Sequence, residues 1–290
     1  MVPKGTILII GGAEDTGDGE KSQMKEKNEQ FEDLEILRGL LPRKAGKRRI
    51  EIVTTASHTP EKLKRRYKQA FKKLGYAEIG FLVIEDKMQA RNQRICARIK
   101  KSHAVFFAGG DQFRISAVLG GTTCADTIKD KYLRDEDFVV AGTSAGAMAL
   151  PDIMIYEGGV EESLMKDDLR VTSGLGFLRD CIVDTHFIKR GRFGRLAHAV
   201  VINPECLGIG LGEDAALKIE KGEIATCHGS GSVIIIDGNQ IGQTNVGEVD
   251  EKTPIFVENL RVHLLAKDIK FSLKGRRLVV PKKPGRKPKQ

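Results

Sequence analysis

Cysteine is scarce in this 290-residue chain: there are five, an odd number, and Cys96, Cys124, Cys181, Cys206 and Cys227 show no CxxC spacing. That excludes a disulfide framework and a cysteine-built zinc site, and it predicts small buried thiols in a reducing cytoplasm. Long apolar runs are missing as well, since none approaches the ~18 residues of a membrane span. The opening residues lead at once into Thr6-Ile7-Leu8-Ile9-Ile10, too short for a signal-peptide core and without a cleavage site. A cytoplasmic protein with no membrane partner is expected. Nucleotide signatures are absent too: none of the glycine-rich turns fits G-x-G-x-x-G or a Walker pattern. Nor does any feature call for a metal or a cofactor. Finally, acidic residues vanish from the last 17 positions, where eight Lys or Arg stand alone, so the net charge of +9 leaves only about +1 (9 − 8) for the rest. Such a terminus cannot bury apolar surface. Residues 274–290 are expected to form a basic, disordered tail, either solubilising or reaching for an acidic partner; nucleic-acid binding is the less favoured role.

What is present is an alternation of apolar strands with helical stretches, which predicts a mostly parallel sheet covered on both faces within one α/β domain at 1–273. Strands are expected at 6–10, 50–54, 81–84, 104–108 and 138–141. Helical spacing is read over 24–41, where Phe31, Leu34, Leu37 and Leu41 share a face and Pro42 stops the helix. It recurs from a Thr59 cap and Pro60 to Gly75, and over a basic stretch at 88–101. Beyond 180 the pattern becomes strand-rich, at 181–185, 208–211, 215–219, 224–227, 232–236 and 261–266.

Working groups of a parallel sheet gather at the carboxyl ends of its strands. Three glycine turns fall there: Gly11-Gly12-Ala13-Glu14, Gly109-Gly110-Asp111-Gln112 and Gly142-Thr143-Ser144-Ala145-Gly146. In the third, a β-branched strand ends in a sharp turn, a serine and a run of small residues suited to a helix start. That arrangement lifts a hydroxyl out of the sheet for attack. The Ala145 N–H is the expected first donor of an oxyanion hole, and Gly110 or Asp111 the second.

A nucleophilic serine needs a base. Of six histidines, His103 starts a strand on the wrong edge, His198 and His263 read as structural, and His58 and His228 are weak candidates. His186, ending Ile182-Val183-Asp184-Thr185, is best placed. The orienting carboxylate is less defined; Glu213, after a strand-like glycine run, is one choice. The turn Lys189-Arg190-Gly191-Arg192-Phe193-Gly194-Arg195 could clamp carboxylates bidentately, or be a solvated charge run.

Taken in order, these glycine turns, Asp184-x-His186-Phe187-x-x-Arg190-Gly191-Arg192-x-Gly194-Arg195-Leu196 and Gly208-Ile209-Gly210-x-x-Glu213-Asp214 resemble the cyanophycinases, serine exopeptidases of the peptidase E-like group. The resemblance spans about residues 5–240. It implies a flavodoxin-like three-layer α/β/α sandwich related to class I glutamine amidotransferases, usually a homodimer. It also implies hydrolysis of cyanophycin, a poly-aspartate bearing arginine on each β-carboxyl, to β-aspartyl-arginine. By motif match Ser144 is the nucleophile, His186 the base and Glu213 its orienter, while Gln112, Asp184, Arg190, Arg192 and Arg195 hold the substrate. The family has Gln where this chain has Thr185, a substrate-pocket position, so another β-aspartyl or aspartyl peptide remains open as substrate. Two other readings stand beside it: a patatin-like lipase with a Ser144–Asp237 dyad, and a non-catalytic homologue that binds charged polymers.

Overall fold

A computed structural model describes residues 1–17, 31–42, 48–159 and 164–279. The apolar runs become the centre of a nine-stranded sheet. In chain order the first half gives β1 (Thr6–Ile10), α1 (Glu35–Arg38), β2 (Arg49–Val53), α2 (Pro60–Lys73), β3 (Glu78–Leu82), α3 (Gln93–Lys101), β4 (Ala104–Phe107), α4 (Gln112–Leu119), α5 (Thr123–Arg134), β5 (Val139–Thr143) and α6 (Ala145–Met148). A hairpin of β6 (Ile153–Gly158) and β7 (Leu169–Ser173) follows, then β8 (Cys181–Thr185) and α7 (Phe193–Ile202). The strand-rich end supplies β9 (Leu207–Leu211), β10 (Ala215–Glu220), β11 (Ile224–Gly229), β12 (Val233–Asp237), β13 (Arg261–Leu265), β14 (Lys270–Ser272) and β15 (Arg277–Leu278).

The large sheet runs β15-β14-β11-β10-β1-β5-β4-β2-β3; its five strands from β1 to β3 are parallel and the remaining four antiparallel. Strand alternation sorts its side chains between two layers. Leu8, Ile10, Ile52 and Phe106 pack with Leu37 of α1 and Tyr67 and Phe71 of α2. Ile7, Ile9, Val105, Phe107 and Val140 face the other way, against Ile99, Ile115 and Ile128 of α3, α4 and α5. That second layer also holds Val183, Ile209 and Ile235 of a separate four-stranded sheet, β13-β12-β9-β8, whose outer face is covered by α7. The fold is a flavodoxin-like α/β sandwich with a mostly parallel centre.

Several expectations shift. The late strands do not all extend the main sheet: β8, β9, β12 and β13 form the second sheet, while β10, β11 and β14 turn back onto β1. Of the helix expected over 24–41, residues 24–30 lie outside the described residues, and within 31–41 only Glu35–Arg38 is helical, Leu34 before it taking a left-handed φ of 57°. Thr59 makes no side-chain cap, so Pro60 alone marks the start of α2. The third strand begins at Glu78, earlier than its apolar run: the Glu78 N–H donates to the Arg48 carbonyl at 3.0 Å, and Glu78 lies in register with Arg49 of β2, with which it also forms an ion pair at 2.7 Å. The tail boundary at 274 also moves. Within 274–279, Arg277–Leu278 fold back as β15 against β14, and the Arg276 guanidinium binds the Asp237 carboxylate and the Glu205 carbonyl; the remainder, 280–290, lies outside the described residues. All five cysteines are free and buried. No helix among the described residues is long and apolar enough to cross a membrane.

Candidate active site

The parallel registers bring the carboxyl ends of β1, β4 and β5 to one edge, and β8 and β9 end beside them. The main chain at this edge is strained. Ala13, Ser144, His186 and Asp214, just beyond β1, β5, β8 and β9, all have φ between 49° and 51°. Non-glycine residues held there cost about 1–3 kcal/mol each and persist only where the surroundings over-determine them.

Those surroundings centre on the turn after β1. The Ser144 N–H donates to the Ile10 carbonyl at 3.0 Å, His186 N–H to Gly11 at 2.9 Å and Asp214 N–H to Gly12 at 3.0 Å. One three-residue stretch thereby sets three loops from two sheets. Within it Gly12, at φ 98°, lies so close to the imidazole that a Cβ would sit 2.5 Å from His186 Cε1. Only glycine fits.

Side chains then align. Ser144 Oγ lies 3.0 Å from His186 Nε2, and His186 Nδ1 lies 3.0 Å from Glu213 Oε1. The Lys189 ammonium, 70% exposed, lies 3.2 Å from the same carboxylate. Partial burial pushes the Glu213 carboxyl up, but the hydrogen bonds and charges of His186 and Lys189 outweigh this and hold it below its ordinary value of 4.5. A hydroxyl, an imidazole and an ionised carboxylate in series can transfer the serine proton to the ring while fixing its tautomer. Between the two oxyanion-donor candidates the structure discriminates: the Asp111 N–H is spent on the Ala56 carbonyl at 2.9 Å, which leaves Gly110. Gly110 itself, at φ 143°, needs the absent side chain, because a Cβ would meet that carbonyl at 2.0 Å.

The expected substrate residues separate into two kinds. Asp184 is fully buried, and its carboxylate accepts from the Thr185 N–H at 2.8 Å, Arg192 Nη1 at 3.0 Å, and Arg195 Nε and Nη2 at 2.7 Å each. Asp184, expected to hold substrate, spends these contacts on two guanidinium groups. Arg195 further donates to the Gly158 carbonyl at 3.3 Å and Arg192 to the Thr185 carbonyl at 2.9 Å. Arg190, by contrast, is exposed. Gln112 ties α4 to β6 through donations to the Ile155 and Tyr156 carbonyls, at 3.2 and 3.5 Å. Thr185 is buried and its hydroxyl has no partner among the described residues.

The other histidines stay away from Ser144. His103 accepts the Arg49 N–H on Nδ1 at 3.0 Å, and burial with the nearby Lys131 and Arg48 charges pushes it down to about 4. His228 faces Glu35, His263 packs on Phe271, His198 is buried in α7, and His58 is exposed. Asp237 pairs with Leu207 at the start of β9, the opposite end of the second sheet from Glu213, and carries Arg276. The Ser144–Asp237 dyad is thereby overturned.

Comparison with known proteins gives the family. The model of peptidase family S51 matches residues 19–227, more than half of the chain. The chain belongs to peptidase family S51. Among relatives of this S51 peptidase, cyanophycinase of Trichormus variabilis is 35% identical over 279 residues, covering 96% of this chain and 88% of that protein. Cyanophycinase of Geminocystis herdmanii is 32% identical over 272 residues, covering 93% and 94%. The crystal structure of a peptidase from an acI-B1 Actinobacterium superposes with a TM-score of 0.62 at 21% identity, over 93% of this chain and 97% of that one, which establishes likeness of fold. This S51 peptidase is a serine-type hydrolase.

Sequence reasoning passed over Glu14, Gly12 and Lys189. The first two stood inside the turn Gly11-Gly12-Ala13-Glu14, where a carboxylate directly after a buried strand was the available signal. Lys189 carried none beyond its place in a basic run.

Proposed function

We propose that the protein is a serine exopeptidase acting on cyanophycin, releasing β-aspartyl-arginine through a Ser144–His186–Glu213 triad. The hydroxyl–imidazole–carboxylate series is the observation that carries the reading, and the similarity to cyanophycinases supports the substrate. Ser144 Oγ attacks the scissile carbonyl as His186 Nε2 takes its proton, and Glu213 stabilises the imidazolium. The N–H groups of Gly110 and Ala145 hold the oxyanion, a contribution of about 3–4 kcal/mol per donor in related chemistry. His186 then protonates the leaving amine, and water, deprotonated by the same ring, releases the acyl group from Ser144. Arg190, Arg192 and Arg195 supply the positive charge that a polymer rich in carboxylates requires, the last two aimed by Asp184. The reading further takes the chain as one catalytic domain, working in the cytoplasm as a homodimer.

Incubation with purified cyanophycin and a panel of β-aspartyl dipeptides, followed by mass analysis, tests this. Release of β-aspartyl-arginine is expected, and Ser144→Ala should lower kcat by roughly 10⁴–10⁶-fold. Cleavage of other β-aspartyl peptides alone would replace the substrate and point to Thr185, whose short buried hydroxyl stands where cyanophycinases have glutamine. Full turnover by Ser144→Ala would exclude the triad.

A further inference from the structure

The turn after β1 holds a buried charged group that the proposed reaction leaves unused. Glu14 is 3% exposed, and among the described residues no salt bridge involves it. Its carboxylate is satisfied by two hydroxyls instead: Tyr67 of α2 donates to Oε1 at 2.6 Å and Thr143 of β5 to Oε2 at 2.7 Å. Burial, and then the Glu14 charge, push the Tyr67 phenol well above its ordinary range, so it remains a donor. A buried carboxylate is costly unless hydrogen-bonded, and two short O–H donors are the stronger, charge-assisted kind. Removing either donor leaves an expensive oxygen unpaired.

Thr143 is the last residue of β5 and precedes Ser144, whose φ of 51° and ψ of −121° are unfavourable for a side-chain-bearing residue. Strain of that kind relaxes unless something fixes the residue before it. The main chain is fixed by the Ser144 N–H bond to Ile10, and β5 lies in register with β1, Thr143 opposite Ile10. Glu14 adds a side-chain hold from the continuation of that same strand. The turn that carries it also receives the His186 N–H, and its Gly12 seats the imidazole. One stretch of chain therefore governs both partners of the 3.0 Å contact between Ser144 and His186.

We propose that Glu14 is a positioning residue for the nucleophile: held between Tyr67 and Thr143, its carboxylate fixes the elbow that presents the Ser144 hydroxyl to His186. The inference rests on Ser144 being the nucleophile. It assigns Glu14 no contact with substrate, so the defect on its removal lies in the chemical step and not in binding.

The test follows Ser144 modification by a fluorophosphonate in the full chain, by mass spectrometry, for wild type, Glu14→Gln, Thr143→Val and the double variant. Rate constants normalised to the final labelled fraction count only folded molecules; kcat and KM on the cleaved peptide are measured alongside. Each single variant is expected to label about 10²-fold more slowly, with KM within about twofold of wild type and no further loss in the double, as for a geometric misplacement of roughly 1 Å. Glu51→Gln is the control: Glu51 of β2 is another buried carboxylate, paired with Arg49 of the same strand and Arg98 of α3, and its substitution should lower stability and leave the labelling rate constant unchanged. If Glu14→Gln does not fold, Thr143→Val and Tyr67→Phe carry the test. Wild-type rate constants in the folded variants, or losses that multiply in the double, would overturn the inference. Failure of the wild type to label at Ser144, with Ser144→Ala still active, would bring down the triad, and this inference with it.

Discussion

Two groups of side chains meet at the carboxyl ends of the strands, and they are held in opposite ways. Ser144, His186 and Glu213 stand on three loops whose main-chain N–H groups all donate into the stretch Ile10–Gly12, so their spacing is set by backbone. Arg192 and Arg195 are set by a single carboxylate, that of Asp184, eight and eleven residues earlier. A backbone scaffold is indifferent to most substitutions and fails where a side chain appears in space meant for none. A cluster built on one buried charge fails when that charge is removed, because the remaining cations are left unpaired away from water. On this view the reacting groups and the binding groups of one site have separate vulnerabilities.

That contrast can be broken at several points. The largest effect is expected from Glu213→Gln, which preserves shape but removes the negative charge and offers an amide N–H that favours the wrong imidazole tautomer; kcat should fall roughly 10⁴-fold while KM changes little. Since the Glu213 carboxyl is depressed in the folded enzyme, its contribution is present above 4.5 and is lost only as pH falls below that value. Next comes Gly12→Ala, whose methyl would meet the ring at 2.5 Å; the imidazole must shift, and kcat should drop about 10²-fold with the fold intact by circular dichroism. If Gly12→Ala is as active as wild type, the backbone account of the triad is wrong. Asp184→Asn should behave differently: KM rises roughly tenfold, kcat falls less, and chemical denaturation shows a loss of about 3–5 kcal/mol. A kcat loss matching that of Glu213→Gln would mean that the two groups are not separable.

Much of the fold was legible because it depends on short-range pattern. Thr6–Ile10, Ala104–Phe107, Val139–Thr143 and Cys181–Thr185 are apolar or β-branched runs closed by turn residues, and each became a strand with a site segment at its end. Ser144 and His186 follow such strands and were read from position; Glu213, after the glycine-rich Leu207–Leu211, was one choice among many carboxylates, and its role came with the family resemblance. The hairpin of β6 and β7 was not legible: its residues mix exposed and buried positions, and its register breaks between Ile155 and Glu157. Nor could a sequence show that the late strands divide between two sheets, which depends on which edge is free when each arrives. The arginine segment was seen correctly as unusual, yet pattern alone cannot tell a cation waiting for substrate from one already engaged by Asp184. Glu14 was hidden for a related reason, because both its partners, Tyr67 and Thr143, are distant in sequence.

The Ser144 hydroxyl emerges from the main sheet, whereas His186 and Glu213 follow strands of the second, made later in the chain. During synthesis the serine is exposed some seventy residues before its carboxylate partner exists (213 − 144 = 69). A fragment ending before residue 213 would thus carry the serine without a complete proton relay. Under the triad reading, the proton relay is complete only once residue 213 has been made and the second sheet lies against the first.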